Sequence, residues 1–112
     1  MSKTTLQELD NILAARKASS AEASYVSSLH TKGLNRILEK VGEECTETIL
    51  AAKDAELNKD NSALISETAD LWFHTMVMLS HLGENSDSVL AELKRRFNRS
   101  GLEEKASRNT SD

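Results

Sequence analysis

From Leu71 to Gly83 the chain carries no Asp, Glu, Lys or Arg, and its bulky residues (Leu71, Trp72, Phe73, Met76, Val77, Met78, Leu79, Leu82) fall on every side of a helix. A helix that is apolar all round is ordinarily buried on all sides. In a chain of 112 residues, that implies packing against both its own subunit and a partner, so dimerisation is expected. The remainder of the sequence favours helix. There is no proline, only four glycines interrupt the chain, and the β-branched and aromatic residues that favour strands are thin. Four aromatics (Tyr25, Trp72, Phe73, Phe97) are available to fill a core. A domain this small buries roughly two thirds of its unfolded surface, which an interface would supplement. The expected fold is all-α: an antiparallel helical bundle of four to five helices, completed by dimerisation.

Periodicity and capping signals place the helices. The first covers Thr5 to Lys17, where Thr5 and Glu8 have capping-box spacing and Leu6, Leu9, Ile12 and Leu13 form a stripe. Ser19 and Glu22 repeat the capping signature ahead of a second helix, which runs through Tyr25, Val26 and Leu29 and stops at Gly33. A long third helix spans Leu34 to Leu57, with Leu34, Ile37, Leu38, Val41, Cys45, Ile49 and Ala52 recurring every three or four positions. The turn Asn58–Asn61 leads into a fourth helix from Ser62 to Leu82, ended by Gly83. A fifth, from Ser86 to Arg99, is closed by Gly101. Residues 1–102 are expected to form one domain, followed by a polar, disordered tail over 103–112.

Charge and cysteine content narrow the function. A formal net charge of −4 argues against a nucleic-acid binder, which would present a basic face. It also means that any phosphate-handling site needs a cation between carboxylate and phosphate. One cysteine, Cys45, permits no internal disulfide and suits a reducing compartment. No leader-like apolar stretch stands at the N-terminus, and no run reaches the roughly 20 apolar residues of a membrane span. A soluble cytoplasmic protein with no membrane association is expected.

Two carboxylate clusters stand out. The third helix carries Glu43, Glu44 and Glu47 in VGEECTETI, and the fourth carries Glu67 and Asp70 in SETADLWFH. Residues three or four apart share a helix face, so Glu44 and Glu47 project together, as do Glu67 and Asp70. Across a short loop, antiparallel packing brings the two pairs together. Oxygen-only donors suit a hard cation, Mg²⁺ or Mn²⁺. Glutamates on a helix are usually no more than a solvated face, but Asp70 weighs against that. It is a poor helix former placed mid-helix, directly before the uncharged run, where a carboxylate is expensive unless paired, protonated or cation-bound. Like charges at these spacings also repel. Together these features favour a metal site held by Glu44, Glu47, Glu67 and Asp70, although spacing alone names no reaction.

Arg36, Lys40, Glu44 and Glu47 step along one face of the third helix. The two cations would either hold phosphate groups or form ordinary salt bridges within the helix, such as Lys40 with Glu43 or Glu44. Gly42, costly inside a helix, would permit close approach of a helix or substrate. His74, one turn past Asp70, reads as a core histidine or one hydrogen-bonded to a carboxylate rather than a direct ligand. Cys45, on the apolar stripe, reads as core, and Met76 and Met78 as core or interface filling.

The strings SYVSSL from Ser24, KGLNRILEKVGEECTETILAAKD from Lys32 and ISETADLWFHTMVML from Ile65 resemble the phosphoribosyl-ATP pyrophosphatase family, within the all-α nucleoside triphosphate pyrophosphohydrolases of the MazG type. The resemblance runs from about Ser24 to Phe97 and includes LAELKRR. Glu43, Glu44, Glu47, Glu67 and Asp70 fill the broad Glu-Glu-x-x-Glu and Glu-x-x-Asp signature. The narrower family features are also present, at Lys40 to Glu44, Ala51 to Asp54 and Ala69 to His74. Cys45 and Thr68 stand where the family often has alanine, and the segment before Ser24 is longer than in minimal members.

The resemblance implies Mg²⁺-dependent hydrolysis of 1-(5-phosphoribosyl)-ATP to 1-(5-phosphoribosyl)-AMP and pyrophosphate, the second step of histidine synthesis, by a homodimeric helical bundle. With one cysteine, the chain lacks the set a zinc cyclohydrolase would use, so the next step is expected from a separate cyclohydrolase. On this reading Glu44, Glu47, Glu67 and Asp70 hold the cation, and Glu43 is the candidate to orient or deprotonate water. Lys32, Arg36 and Lys40 meet phosphate groups. The alternatives are a housekeeping nucleoside triphosphate pyrophosphohydrolase and a non-catalytic helical dimer acting as an adaptor. A ferritin-like di-iron bundle is disfavoured because the expected Glu-x-x-His pairs are absent.

Overall fold

Thr4 starts the first helix, α1 (Thr5–Lys17), by reciprocal capping: its hydroxyl accepts from the Gln7 amide at 3.2 Å, and Gln7 Oε1 accepts from the Thr4 amide at 3.0 Å. The expected box at Thr5 and Glu8 is therefore shifted by one residue. In this computed structural model, residues 3–98 are described. A second correction follows Lys17. The signature at Ser19 and Glu22 opens no α-helix, because the Ser19 hydroxyl turns back to the Ala15 carbonyl at 3.2 Å. A single 3₁₀ turn, Ala21–Ala23, occupies the segment instead. The cap of α2 (Tyr25–Lys32) is Ser24, which accepts from the Ser27 amide at 3.0 Å. Ser27 in turn donates to the Arg16 carbonyl at 2.9 Å, tying α2 to the end of α1.

Gly33, at φ +100°, separates α2 from α3 (Leu34–Asn58). That backbone conformation suits glycine because it lacks a Cβ. α3 ends at Lys59 in the left-handed region, and three residues, Lys59 to Asn61, connect it to α4 (Ser62–His81). Asp60 Oδ1 accepts from both the amide (3.0 Å) and hydroxyl (2.7 Å) of Ser62. So short a link between two long helices makes an antiparallel hairpin, and buried Ala51 and Ala55 on α3 keep the two backbones close. After a turn at Gly83, α5 (Ser86–Phe97) runs back against α1. α5 stops at Phe97 with Asn98 as its C-cap, so the predicted helix is too long at Asn98; its predicted end at Arg99, its closure at Gly101 and the tail over 103–112 lie outside the described residues.

The fold is all-α, with no strand among the described residues. Its core joins Leu13 of α1, Val26 and Leu29 of α2, Ile37 of α3, and Met76 and Val77 of α4, with Leu6, Leu9, Phe73 and Met78 packed around them. Each helix thus contributes one apolar stripe to a common interior, apart from α5. The uncharged run on α4 is only half covered. Met76 and Val77 are buried, whereas Trp72 is 60% exposed. Trp72 stands in an apolar groove of about 540 Å³, whose walls include Val41, Cys45, Leu79, Leu90 and Leu93. Cys45 is therefore an exposed groove residue, not the core residue its stripe position suggested. Leu38 and Ile49 of the same stripe are also exposed. No helix among the described residues is long and apolar enough to cross a membrane.

Candidate metal centre

The α3–α4 hairpin sets the register of the site. Thr48, on α3, donates its hydroxyl to the Glu44 carbonyl at 2.7 Å in its own helix and approaches the Glu67 carbonyl across the hairpin at 3.2 Å. This one side chain locks the two carboxylate-bearing turns at the same level. Carboxylate oxygens of Glu44, Glu67 and Asp70 then lie within 4.8 Å of one another. Glu47 reaches both Glu44 and Glu67 as a hydrogen-bond partner, so four carboxylates share one end of the hairpin.

Three or more negative charges this close repel strongly unless something neutralises them. Glu44 is only 6% exposed, and burial, reinforced by Glu47 and Asp70, pushes its carboxyl above the usual range. Glu67 is raised too, by the hydrogen bond to Glu47 and then by burial and the charges of Glu47, Glu44 and Asp70. Each of these two residues keeps one buried oxygen without a hydrogen-bond partner, Glu44 Oε2 and Glu67 Oε2. A buried oxygen left so is costly. Two such oxygens, in a cluster offering only oxygen donors, fit a hard divalent cation.

The other expected site residues fall around this cluster. Glu43 turns away to Lys40, at 3.0 Å, and the ammonium holds its carboxyl below the ordinary value. Lys40 also stands 3.8 Å from Glu44, so it links Glu43 to the buried end of the cluster. Arg36 pairs with Glu39 at 2.9 Å, and Lys32 is exposed in the last turn of α2. The ordinary salt-bridge alternative for Lys40 and Arg36 is thus present: the Arg36–Glu39 pair faces solvent and contributes little to stability, whereas Lys40 is 20% exposed and reaches the buried Glu44. Gly42 has open space where a Cβ would stand and needs no close approach within the chain.

His74 does not hydrogen-bond to a carboxylate. It is buried, with Nδ1 2.8 Å from the Asp70 carbonyl oxygen and Nε2 2.8 Å from the Tyr25 hydroxyl. Composition alone made Tyr25 one of four aromatics for a core, yet its ring is half exposed and its hydroxyl reaches α4. Thr48 and the Tyr25–His74 contact were the parts that sequence reasoning missed. The only hint in the sequence was the position of His74 four residues after Asp70, which puts the ring beside that backbone carbonyl.

A family model described as phosphoribosyl-ATP pyrophosphohydrolase matches residues 6–97. A protein of Hydrogenovibrio crunogenus (strain DSM 25203 / XCL-2), named phosphoribosyl-ATP pyrophosphatase, is 56% identical over 112 residues, which cover 100% of this chain and 99% of the relative.

Proposed function

Because the chain belongs to the phosphoribosyl-ATP pyrophosphohydrolase family, we propose that it hydrolyses 1-(5-phosphoribosyl)-ATP between the α and β phosphates, giving 1-(5-phosphoribosyl)-AMP and pyrophosphate in histidine biosynthesis. The observation that carries the chemistry is the convergence of Glu44, Glu67 and Asp70 within 4.8 Å, with buried oxygens of Glu44 and Glu67 lacking a partner.

Glu44, Glu47, Glu67 and Asp70 would hold Mg²⁺, which supplies positive charge against the triphosphate and against the charge that develops as the anhydride breaks. The protein's own groups do the rest. Glu43, kept ionised by Lys40, accepts a hydrogen bond from the attacking water and orients it. A carboxylate lowered in this way is a weak base, so orientation is its larger contribution. Arg36 exchanges its surface carboxylate partner for phosphate oxygens, Lys40 shares its ammonium between Glu43 and phosphate, and Lys32 adds charge at the end of α2. Thr48 keeps the two acidic turns in register while substrate binds.

A second copy of the chain is the proposed cover for the groove at Trp72. Its apolar walls and volume of about 540 Å³ are what a helical partner would fill.

The test is pyrophosphate release from phosphoribosyl-ATP and from ATP, each with Mg²⁺ and with EDTA. Fast, Mg²⁺-dependent release from the phosphoribosyl adduct is expected, with little from ATP. Preference for ordinary triphosphates would replace the pathway assignment with a housekeeping role, and no release from either would discard the reaction.

A further inference from the structure

Tyr25 and His74 form a contact whose proton can be placed. The Asp70 carbonyl can only accept a hydrogen bond. In the neutral imidazole, the proton therefore sits on His74 Nδ1, 2.8 Å from that oxygen, and Nε2 carries a lone pair. The Tyr25 hydroxyl, 2.8 Å from Nε2, must then be the donor. Having given its single proton to His74, the phenol oxygen presents only lone pairs to its surroundings.

Those surroundings are the proposed site. Tyr25 is half exposed, whereas His74 is only 6% exposed and packed edge-on against Tyr25 and Phe73. Tyr25 lies within electrostatic reach of Lys40 and Arg36, and His74 within reach of Glu43 and Glu44. Through His74 the hydroxyl is tied to the Asp70 carbonyl, two hydrogen bonds from the turn that carries that carboxylate. An acceptor-only oxygen cannot bind a phosphate oxygen, which is itself an acceptor. The nearby donors Lys40 and Arg36 are paired with Glu43, Glu44 and Glu39, and in a hydrolysis the attacking water is the reactant that both offers an O–H and has to be aimed.

Building on the hydrolase reading above, we propose that Tyr25 is a catalytic residue that accepts a hydrogen bond from the attacking water, and that His74 is the positioning residue that fixes its proton. Tyr25 then supplies an acceptor for one hydrogen of that water, which helps direct its lone pair at phosphorus. His74 never meets the substrate. It spends its Nδ1–H on the Asp70 carbonyl, so one ring ties the polarity of Tyr25 to the turn that carries that carboxylate.

The experiment has two arms on the full-length protein. The first is nitrogen NMR of the imidazole at a pH well above the ordinary histidine range, without added metal. It should find the His74 proton on Nδ1, with an Nε2 resonance that moves when Tyr25→Phe removes the hydroxyl. The second compares steady-state kinetics of the parent and Tyr25→Phe. We expect kcat to fall about 10- to 100-fold with KM little changed and the helical circular dichroism spectrum retained at the assay temperature. A His74 proton on Nε2 would overturn the proposal, as would a Tyr25→Phe enzyme with parental kcat. A variant that raised KM at parental kcat would assign the hydroxyl to substrate binding and overturn the water role. If the parent itself released no pyrophosphate while His74 showed the expected tautomer, the hydrolase reading would fall and the water role with it, with the Tyr25–His74 proton arrangement left standing as structure alone.

Discussion

Nδ1 of His30 stands 2.9 Å from Nδ1 of His81, and the two rings stack with centroids 5.2 Å apart. The contact joins the end of α2 to the end of α4. It requires one proton between two nitrogens, so it exists only while at least one ring is neutral. Lys17 adds a third charge, its ammonium donating to the carbonyls of Ser80 at 2.7 Å and His81 at 3.2 Å.

Burial, then His81 and then Lys17, push the His30 imidazole below its ordinary value of 6.5. Above that pH, folded and unfolded chains are both neutral at this ring. As pH falls below about 6.5, the unfolded chain takes the proton first and native stability declines, until the lowered folded value is passed. Thermal melts across this range should therefore show a loss on acidification that is shallower in His30→Asn. Identical slopes in parent and variant would show that the pair does not govern this behaviour.

At the carboxylates the sign reverses. Glu44 and Glu67 are raised above 4.5 in the folded chain, so without a cation stability falls as pH rises through the raised values and their charges appear. Mg²⁺ at neutral pH should raise the melting temperature, by about 2.7 kcal/mol of stability at a hundredfold excess over Kd. Glu44→Gln should melt higher than the parent in EDTA, lose the Mg²⁺ response and lose turnover by about a hundredfold or more. Calorimetry with and without Mg²⁺ checks all three, and a parent indifferent to Mg²⁺ would remove the metal assignment.

α5 takes its N-terminal support from α1. Asn85 makes no side-chain cap, and Asp10 instead accepts from the Ser86 amide at 3.0 Å and from the Ser86 hydroxyl at 2.5 Å. Asp10→Ala should cost about 0.5–2 kcal/mol, the range for losing a helix cap. Urea melts of Asp10→Ala, Ser86→Ala and the double variant should show strong non-additivity. Additive losses would mean that the two residues act separately.

Placing a charge at Trp72 tests the proposed pairing of copies. Trp72→Glu sits on the outer side of α4, so its own subunit can solvate it, whereas a buried interface cannot. Light scattering should shift from dimer to monomer mass. An unchanged mass would direct the search to another face.

Helix type and extent were legible wherever a stripe and a stop coincided. Thr5 to Lys17 and the Ser62 start of α4 agree with the structure. Capping is less legible, because Thr4 and Thr5 are equally good caps by type, and only the partner, Gln7 or Glu8, decides between them. Ser19 failed for a related reason: its hydroxyl has a carbonyl one turn behind it as well as amides ahead. The approach of Glu44, Glu67 and Asp70 was legible from spacing, since i, i+3 pairs on two helices of a hairpin need only a short loop to meet. What periodicity does not encode is the far side of each helix. Cys45 and Ile37 share a stripe, yet one faces the groove and the other the core. Tyr25 reaches His74 across 49 positions, a pairing set by tertiary packing.

Lys17 and Asp10, both on α1, each grip α4 or α5 from more than sixty positions away: Lys17 closes the end of α4 and Asp10 opens α5. The corner between those helices is therefore fastened by a helix made well before either of them. Contacts of such long separation are slow to form. The α3–α4 hairpin, made of neighbours in sequence, closes across only three residues, so its formation precedes the latching of α5 onto the distant α1.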